Sequence, residues 1–174
     1  LRLGIGMVHQ HFKLIDVLSA TENIILGLEG RLNIKEASRK IEEICNKYGF
    51  EVDPKQKIYD MSVSQKQTVE IVKVLYRGAD ILILDEPTAS LNETDSKALL
   101  DLMLELKKKG MTSIIISHKL NEISYVADKI TVIRDGSTIE TLVKGKDDIT
   151  ESRIIKGMVG REIADRFPKR EPKI

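Results

Sequence analysis

The sequence predicts an α/β fold, with a parallel sheet as its core and a helical block set into it. Three observations carry this. The run Ile81-Leu82-Ile83-Leu84 is apolar without a break, the pattern of a short strand buried on both faces of a parallel sheet. Thr112 to Ser117 is a second β-branched run of the same character. Between Ser64 and Val132 such strands alternate with helical patterns, which predicts a three-layer arrangement.

Leu3 to Val8 is a short apolar and glycine-containing strand that ends at His9-Gln10-His11. Asp16 to Gly27 reads as mostly helical, with Thr21-Glu22-Asn23 in its middle; Gly27 and Gly30 then break the pattern. From Asn33 to Tyr48, Ile34, Ala37, Ile41, Ile44, Cys45 and Tyr48 recur at helical spacing. Asn33 and Glu36 have capping-box spacing, and Gly49 suits the position after the helix. Glu51 to Tyr59, with Asp53-Pro54, is a loop. Ser64 to Tyr76 is a further helix with Val69, Val72 and Tyr76 on one face, and Gly78-Ala79-Asp80 turns into the strand at Ile81. Asn92 caps a helix running to Lys109, where Lys107, Lys108 and Lys109 complement the terminal dipole before Gly110. A short helix follows over Lys119 to Ala127. Ile130 to Ile133 and Thr138 to Val143 flank Asp135-Gly136, a hairpin signal. Asp148 to Val159 closes as a helix, and Arg161 to Ile174 is a charged tail or linker with Pro168 and Pro172. Little strand pattern occurs from Asp16 to Ala79, which is therefore read as the helical block.

Composition bounds the function. Hydrophobic residues make up 41% of the 174, enough for a core, and aromatics only 4%, so that core is aliphatic. The net charge of +1, from 28 basic and 27 acidic residues, gives no electrostatic case for nucleic acid as a partner. The lone Cys45 cannot pair internally and suits a reducing cytosol. No apolar run approaches the ~18–20 residues of a transmembrane helix, and no signal peptide is visible. The chain opens on Leu1 in a strand-like run, so a missing natural N-terminus is expected.

The chemistry gathers at predicted strand ends. Ligands of open α/β sheets sit beyond the carboxyl ends of strands. Asp85 and Glu86 stand there, just before Pro87. Adjacent side chains on a strand point opposite ways, so one carboxylate can face a metal while the other serves as a general base. The plain alternative is an exposed acidic turn. His118 ends the next strand; a neutral imidazole there can donate to a phosphate oxygen and accept from a neighbour. Met61-Ser62-Val63-Ser64-Gln65 precedes a helix, whose free N–H groups and dipole suit a phosphate. Ser62 is equally a simple helix cap. His9 and His11 have too few companions for a metal site and are assigned solvent or packing roles.

Taken in order, these residues resemble the ABC-type ATPases over essentially the whole chain. Asp85 and Glu86 resemble the Walker B carboxylate and catalytic glutamate. His118 resembles the H-loop histidine and Gln10 the Q-loop glutamine. Ser62, Ser64 and Gln65 stand in the signature, whose usual form is Leu-Ser-Gly-Gly-Gln, with Val63 and Ser64 replacing both glycines. Ser90, Leu91 and Asn92 resemble the D-loop, with Asn92 where Asp is usual.

The resemblance implies a partial P-loop NTPase (RecA-like) sheet core with an inserted helical subdomain at about 16–79. The ATPase domain would span 1–160 and a linker 161–174. ATP and Mg2+ are the implied cofactors. Asp85 would stand in the Mg2+ shell, Gln10 would sense the metal and attacking water, and Glu86 would activate that water. The signature would cap ATP held by an opposite ATPase domain. The phosphate-binding pattern Gly-x-x-x-x-Gly-Lys-Ser/Thr occurs nowhere, since Gly145-Lys146 is followed by Asp147. The resemblance places that loop before Leu1, so the fragment alone is expected to be inactive.

Gln67-Thr68-Val69-Glu70-Ile71, Met158-Val159-Gly160-Arg161-Glu162 and Asp165-Arg166-Phe167-Pro168 resemble the first ATPase half of sugar importers of the ribose/galactose type, or of nucleoside importers. The implied partners are a second ATPase domain, fused or dimeric, transmembrane permease subunits and, indirectly, a solute-binding protein. The implied location is the cytoplasmic face of the cell membrane. A non-catalytic regulatory or assembly half is the alternative, motivated by the altered signature and Asn92. A soluble relative acting in translation or DNA repair would show a basic face or long heptads, and neither is present.

Overall fold

In a computed structural model of the chain, residues 3–30 and 33–160 are described. The expected linker 161–174 lies outside them, as do the residues from Arg161 onward that entered the importer resemblance. Two compact units form, one through His118 and one from Lys119 onward.

The first unit holds a three-stranded parallel sheet in the order β1 (Ile5–Val8), β2 (Ile81–Asp85) and β3 (Thr112–Ile116). Val8 lies opposite Leu84, and Asp85 opposite Ile116. The three carboxyl ends therefore meet along one edge. Alternation sorts the side chains by face. Gly6, Val8, Leu82 and Leu84 are buried, in a core shared with α3 (Val63–Tyr76) and α4 (Glu93–Lys108). A Cβ on Gly6 would come within 2.0 Å of Val74 Cγ1, so glycine is what lets α3 lie this close to β1.

The opposite face corrects two expectations. Ile5, Met7, Ile114 and Ile116 are exposed, and Ile81 and Ile83 only half-buried. Among the described residues, then, β2 is buried on one face, β3 is not a buried strand, and the helices supply a single covering layer. An unbroken apolar run states that both faces can be covered; it does not state which residues cover them.

The helical block is α1 (Ala20–Ile25), α2 (Ile34–Tyr48), a 3-10 turn over Ile58–Asp60, and α3. α1 is shorter than the predicted Asp16–Gly27. Ser19 accepts from the Glu22 backbone N–H and donates its own to the Glu22 carboxylate at 2.6 Å, a closed capping box that starts the helix there. Residues 16–18 are a turn, in which Leu18 N–H donates to the Ile15 carbonyl. At α2 only half of the expected box forms: Asn33 accepts from Lys35 and Glu36. Gly49 takes φ +81 and donates to the Cys45 carbonyl, ending α2 in the left-handed cap that glycine favours. Ile24, Ile41, Ile58, Val69, Ile71 and Val72 are fully buried and weld the block together.

The second unit contains α5 (Leu120–Val126), the antiparallel pair β4 (Lys129–Arg134) and β5 (Ser137–Val143), and α6 (Glu151–Val159). Asp135 and Gly136 both take positive φ, 51° and 73°, as the predicted tight hairpin requires. Ile130, Val132, Leu142 and Ile154 form its core.

Candidate functional site: the carboxyl edge of the parallel sheet

β2 stops because its next residue leaves the extended region. Glu86 takes φ +46, a left-handed conformation costing a non-glycine residue roughly 1–2 kcal/mol. Its backbone N–H still bonds the Ile116 carbonyl at 2.9 Å, and its carbonyl accepts from Ala89 N–H at 3.1 Å. Pro87 and Thr88 are buried behind it. Glu86 is thus held from both backbone sides in a conformation it would not choose. Such strain persists where the surroundings over-determine it, typically at functional sites.

The side chain is held as firmly. Glu86 Oε1 lies 2.8 Å from His118 Nδ1. An ionised carboxylate only accepts, so Nδ1 carries the proton and donates. In the neutral ring Nε2 is then an acceptor; donation from Nε2 as well takes a doubly protonated ring. The imidazole is 70% exposed and the Glu86 side chain 19%. Glu86 Oε2 is buried, with no hydrogen-bond partner among the described residues. A buried orphan acceptor costs about 1–3 kcal/mol, so this oxygen is set up to receive a donor from outside the protein.

Asp85, half-buried, sits one position earlier on the same edge. Among the described residues no three His, Cys, Asp or Glu side chains gather into a metal cage. Mg2+ does not need one: it takes one or two carboxylates, with waters and phosphate oxygens completing its shell. Asp85, at the end of β2, is a carboxylate of the kind that requirement calls for.

The other predicted site residues sit on separate elements. Gln10 is exposed in the loop after β1, two residues beyond Val8, just as Glu86 lies two beyond the paired Leu84. It is on the same sheet edge and outside the Glu86–His118 hydrogen bond. Ser62 caps α3, accepting from Gln65 N–H at 3.2 Å while its own N–H donates to Gln65 Oε1 at 2.9 Å. Ser62 Oγ also lies 3.0 Å from Ser64 Oγ. That cap makes its own hydrogen bonds, apart from the Glu86–His118 pair. Ser90 is exposed and Leu91 half-buried in the turn after Thr88. Asn92 caps α4 by accepting from Asp95 N–H at 2.8 Å.

Sequence reading missed two buried polar residues. Asn23 is fully buried and Glu70 is 6% exposed. The available signal was a polar residue inside an apolar helical stretch: Asn23 beside Ile24-Ile25, and Glu70 between Val69 and Ile71. An open groove of about 420 Å3, with Thr21, Ser38, Arg39, Pro54 and Lys57 among its lining, shares no residue with the carboxyl-edge site.

Known proteins are similar to this chain. The chain is similar to an L-arabinose transport ATP-binding protein of Geobacillus stearothermophilus, 51% identical over 99% of the chain and 34% of the relative. It is also similar to a nucleoside import ATP-binding protein of Lactococcus lactis, 51% identical over 93% of the chain and 32% of the relative. It thus spans about a third of the length of the curated relatives it matches. Among solved structures, a dimeric post-hydrolysis ATP-binding cassette bound to ADP and Pi aligns at a TM-score of 0.64 and 26% identity, over 80% of this chain and 62% of that one. Residues 1–89, just over half of the 174, match the ABC transporter family profile, so the strained glutamate and its histidine stand in a chain that belongs to the ABC transporter family.

Proposed function

We propose that this chain is part of an ATP-binding subunit that hydrolyses ATP to energise import of a sugar or nucleoside across a membrane. The observation that carries the reading is Glu86: a half-buried carboxylate with one oxygen tied to His118 and the other without a partner among the described residues. The names of the relatives, L-arabinose transport and nucleoside import, support the solute class.

In this reading Glu86 Oε2 orients the attacking water and takes its proton, while His118 fixes the carboxylate's direction. Asp85 would hold Mg2+, whose charge would offset the charge developing on the transferred phosphoryl group. Gln10 stands beside that site, and Ser62, Ser64 and Gln65 face the nucleotide of a second ATPase domain. Ser90, Leu91 and Asn92 run between the two domains. The ATPase domain spans 1–160, its helical subdomain about 16–79, and 161–174 is a linker. The subunit works on the cytoplasmic face of the membrane, against permease subunits fed by a solute-binding protein.

The test is Glu86→Gln in the full-length protein. Losing the general base is expected to lower ATP turnover at this site by about 10²–10⁴-fold while nucleotide binding is kept. Unchanged turnover would sink the catalytic reading. It would favour the second one, a regulatory half, for which Val63 and Ser64 in place of the signature glycines speak.

A further inference from the structure

The chain just after Gln10 is gripped by α3 in a way that hydrolysis chemistry at Glu86 does not require. Lys13 N–H donates to Glu70 Oε1 at 2.5 Å, and the Lys13 carbonyl accepts from Lys73 Nζ at 3.1 Å. Both polar groups of one residue's backbone are thus held by two side chains of one helix. Lys66 adds an ion pair to Asp16 Oδ1 at 3.3 Å. Lys66, Glu70 and Lys73 are spaced i, i+4 and i+7, which places them in a single stripe on α3. From the other side Asn23, fully buried, accepts from Ile15 N–H at 2.7 Å and donates to the Ile15 carbonyl at 3.0 Å. Alternate backbone positions, 13 and 15, are therefore clamped by α3 and α1 in turn.

A carboxylate 6% exposed in an apolar helix face is costly unless it is well bonded. Helix formation at Val63–Tyr76 has no need of it. What Glu70 and Lys73 secure is the segment that leads back to Gln10, only three residues away, a reach of roughly 10 Å at full extension. Ser62 lies eight residues before Glu70, about 12 Å along the same helix.

We propose that Glu70 and Lys73 are positioning residues: they tie the Gln10 loop to α3, so that displacement of the Ser62 end is carried to Gln10. Resting on the reading of Gln10 and Ser62 above, the clamp makes the occupancy of the opposite nucleotide site felt at this one.

The experiment uses the full-length protein with its membrane partners, and compares Glu70→Ala, Glu70→Gln, Lys73→Ala and Lys73→Arg. Amide hydrogen exchange at Lys13 reads the clamp. Protection is expected to fall in Glu70→Ala and to return in Glu70→Gln, whose side-chain carbonyl still accepts. ATP turnover reads the positioning. Loss of one hydrogen bond to a charged group is expected to lower kcat about tenfold, with KM for ATP within about twofold. Lys73→Arg is expected to restore what Lys73→Ala loses. Joining both alanine changes is expected to add little to either alone, because the two act on one peptide.

Unchanged Lys13 exchange in Glu70→Ala overturns the clamp. Lost protection with unchanged kcat, or with KM alone rising, overturns the positioning role. Glu86→Gln run in parallel separates the premises: if it keeps full turnover, the ATPase reading falls, while the clamp itself is still judged by exchange.

Discussion

At the residue scale, Glu86 carries two unfavourable terms: a left-handed φ and a buried oxygen without a partner among the described residues. Replacing it by glycine relieves both, whereas alanine relieves only the second. Glu86→Gly is therefore expected to be more stable than Glu86→Ala by about 1 kcal/mol, read from urea unfolding of the two variants. Equal stability would mean that the turn relaxes out of φ +46. Glu22 shows the opposite case, a carboxylate the fold favours in its charged form. The Ser19 backbone N–H, then the Ser19 hydroxyl, then Lys57 hold it at about 2, below its ordinary 4.5. A carboxyl group lowered on folding stabilises the native state above its unfolded value. That stabilisation is complete above pH 4.5 and is lost as pH falls toward 2. Glu22→Gln is expected to flatten the dependence of unfolding free energy on pH across that window. An unaltered slope there would remove Glu22 from the account.

At the element scale, the contact that seats the helical block on the sheet is α3 against β1 at Gly6. An alanine there meets Val74 at a distance no real methyl group tolerates. Overpacking of this kind costs about 1–3 kcal/mol. Gly6→Ala is expected to lower the unfolding midpoint, and Val74→Ala added to it is expected to recover part of the loss. Failure of the second change to compensate would show that Ala79, 3.1 Å from the same Cβ position, sets the limit instead. The caps illustrate why element bounds were partly legible. Asn33, Gly49, Ser62 and Asn92 are local signals, and the helices start and stop at them. Ser19 is a signal of the same kind inside an apolar stretch. The hydrophobic pattern overran it and lengthened α1 by several residues.

At the scale of the whole molecule, the sheet presents Ile5, Met7, Ile114 and Ile116 on one exposed face. Contiguous apolar surface beside an unpaired strand edge favours non-specific association. The 174-residue chain by itself is expected to scatter light at micromolar concentration, and Met7→Thr with Ile114→Thr to reduce that scattering. Undiminished scattering in the double variant would place the sticky surface elsewhere. No helix among the described residues is long and apolar enough to cross a membrane.

What the sequence determined by itself was the order of chemical groups along the chain and their assignment to strand ends and helix starts. Strand runs, caps and turns depend on a few neighbouring residues, so the sequence alone places Asp85, Glu86 and His118 on one sheet edge. Only the tertiary structure decided that His118 faces Glu86 at 2.8 Å, that Glu86 bends to φ +46, and that Ile5, Met7, Ile114 and Ile116 are exposed on one sheet face among the described residues. The grip of Glu70 and Lys73 on Lys13 belongs to the same class. The Glu86–His118 and Lys13–Glu70 contacts join residues 32 and 57 positions apart. Contacts at such separations are set by how whole elements pack, which a local pattern of residues does not encode.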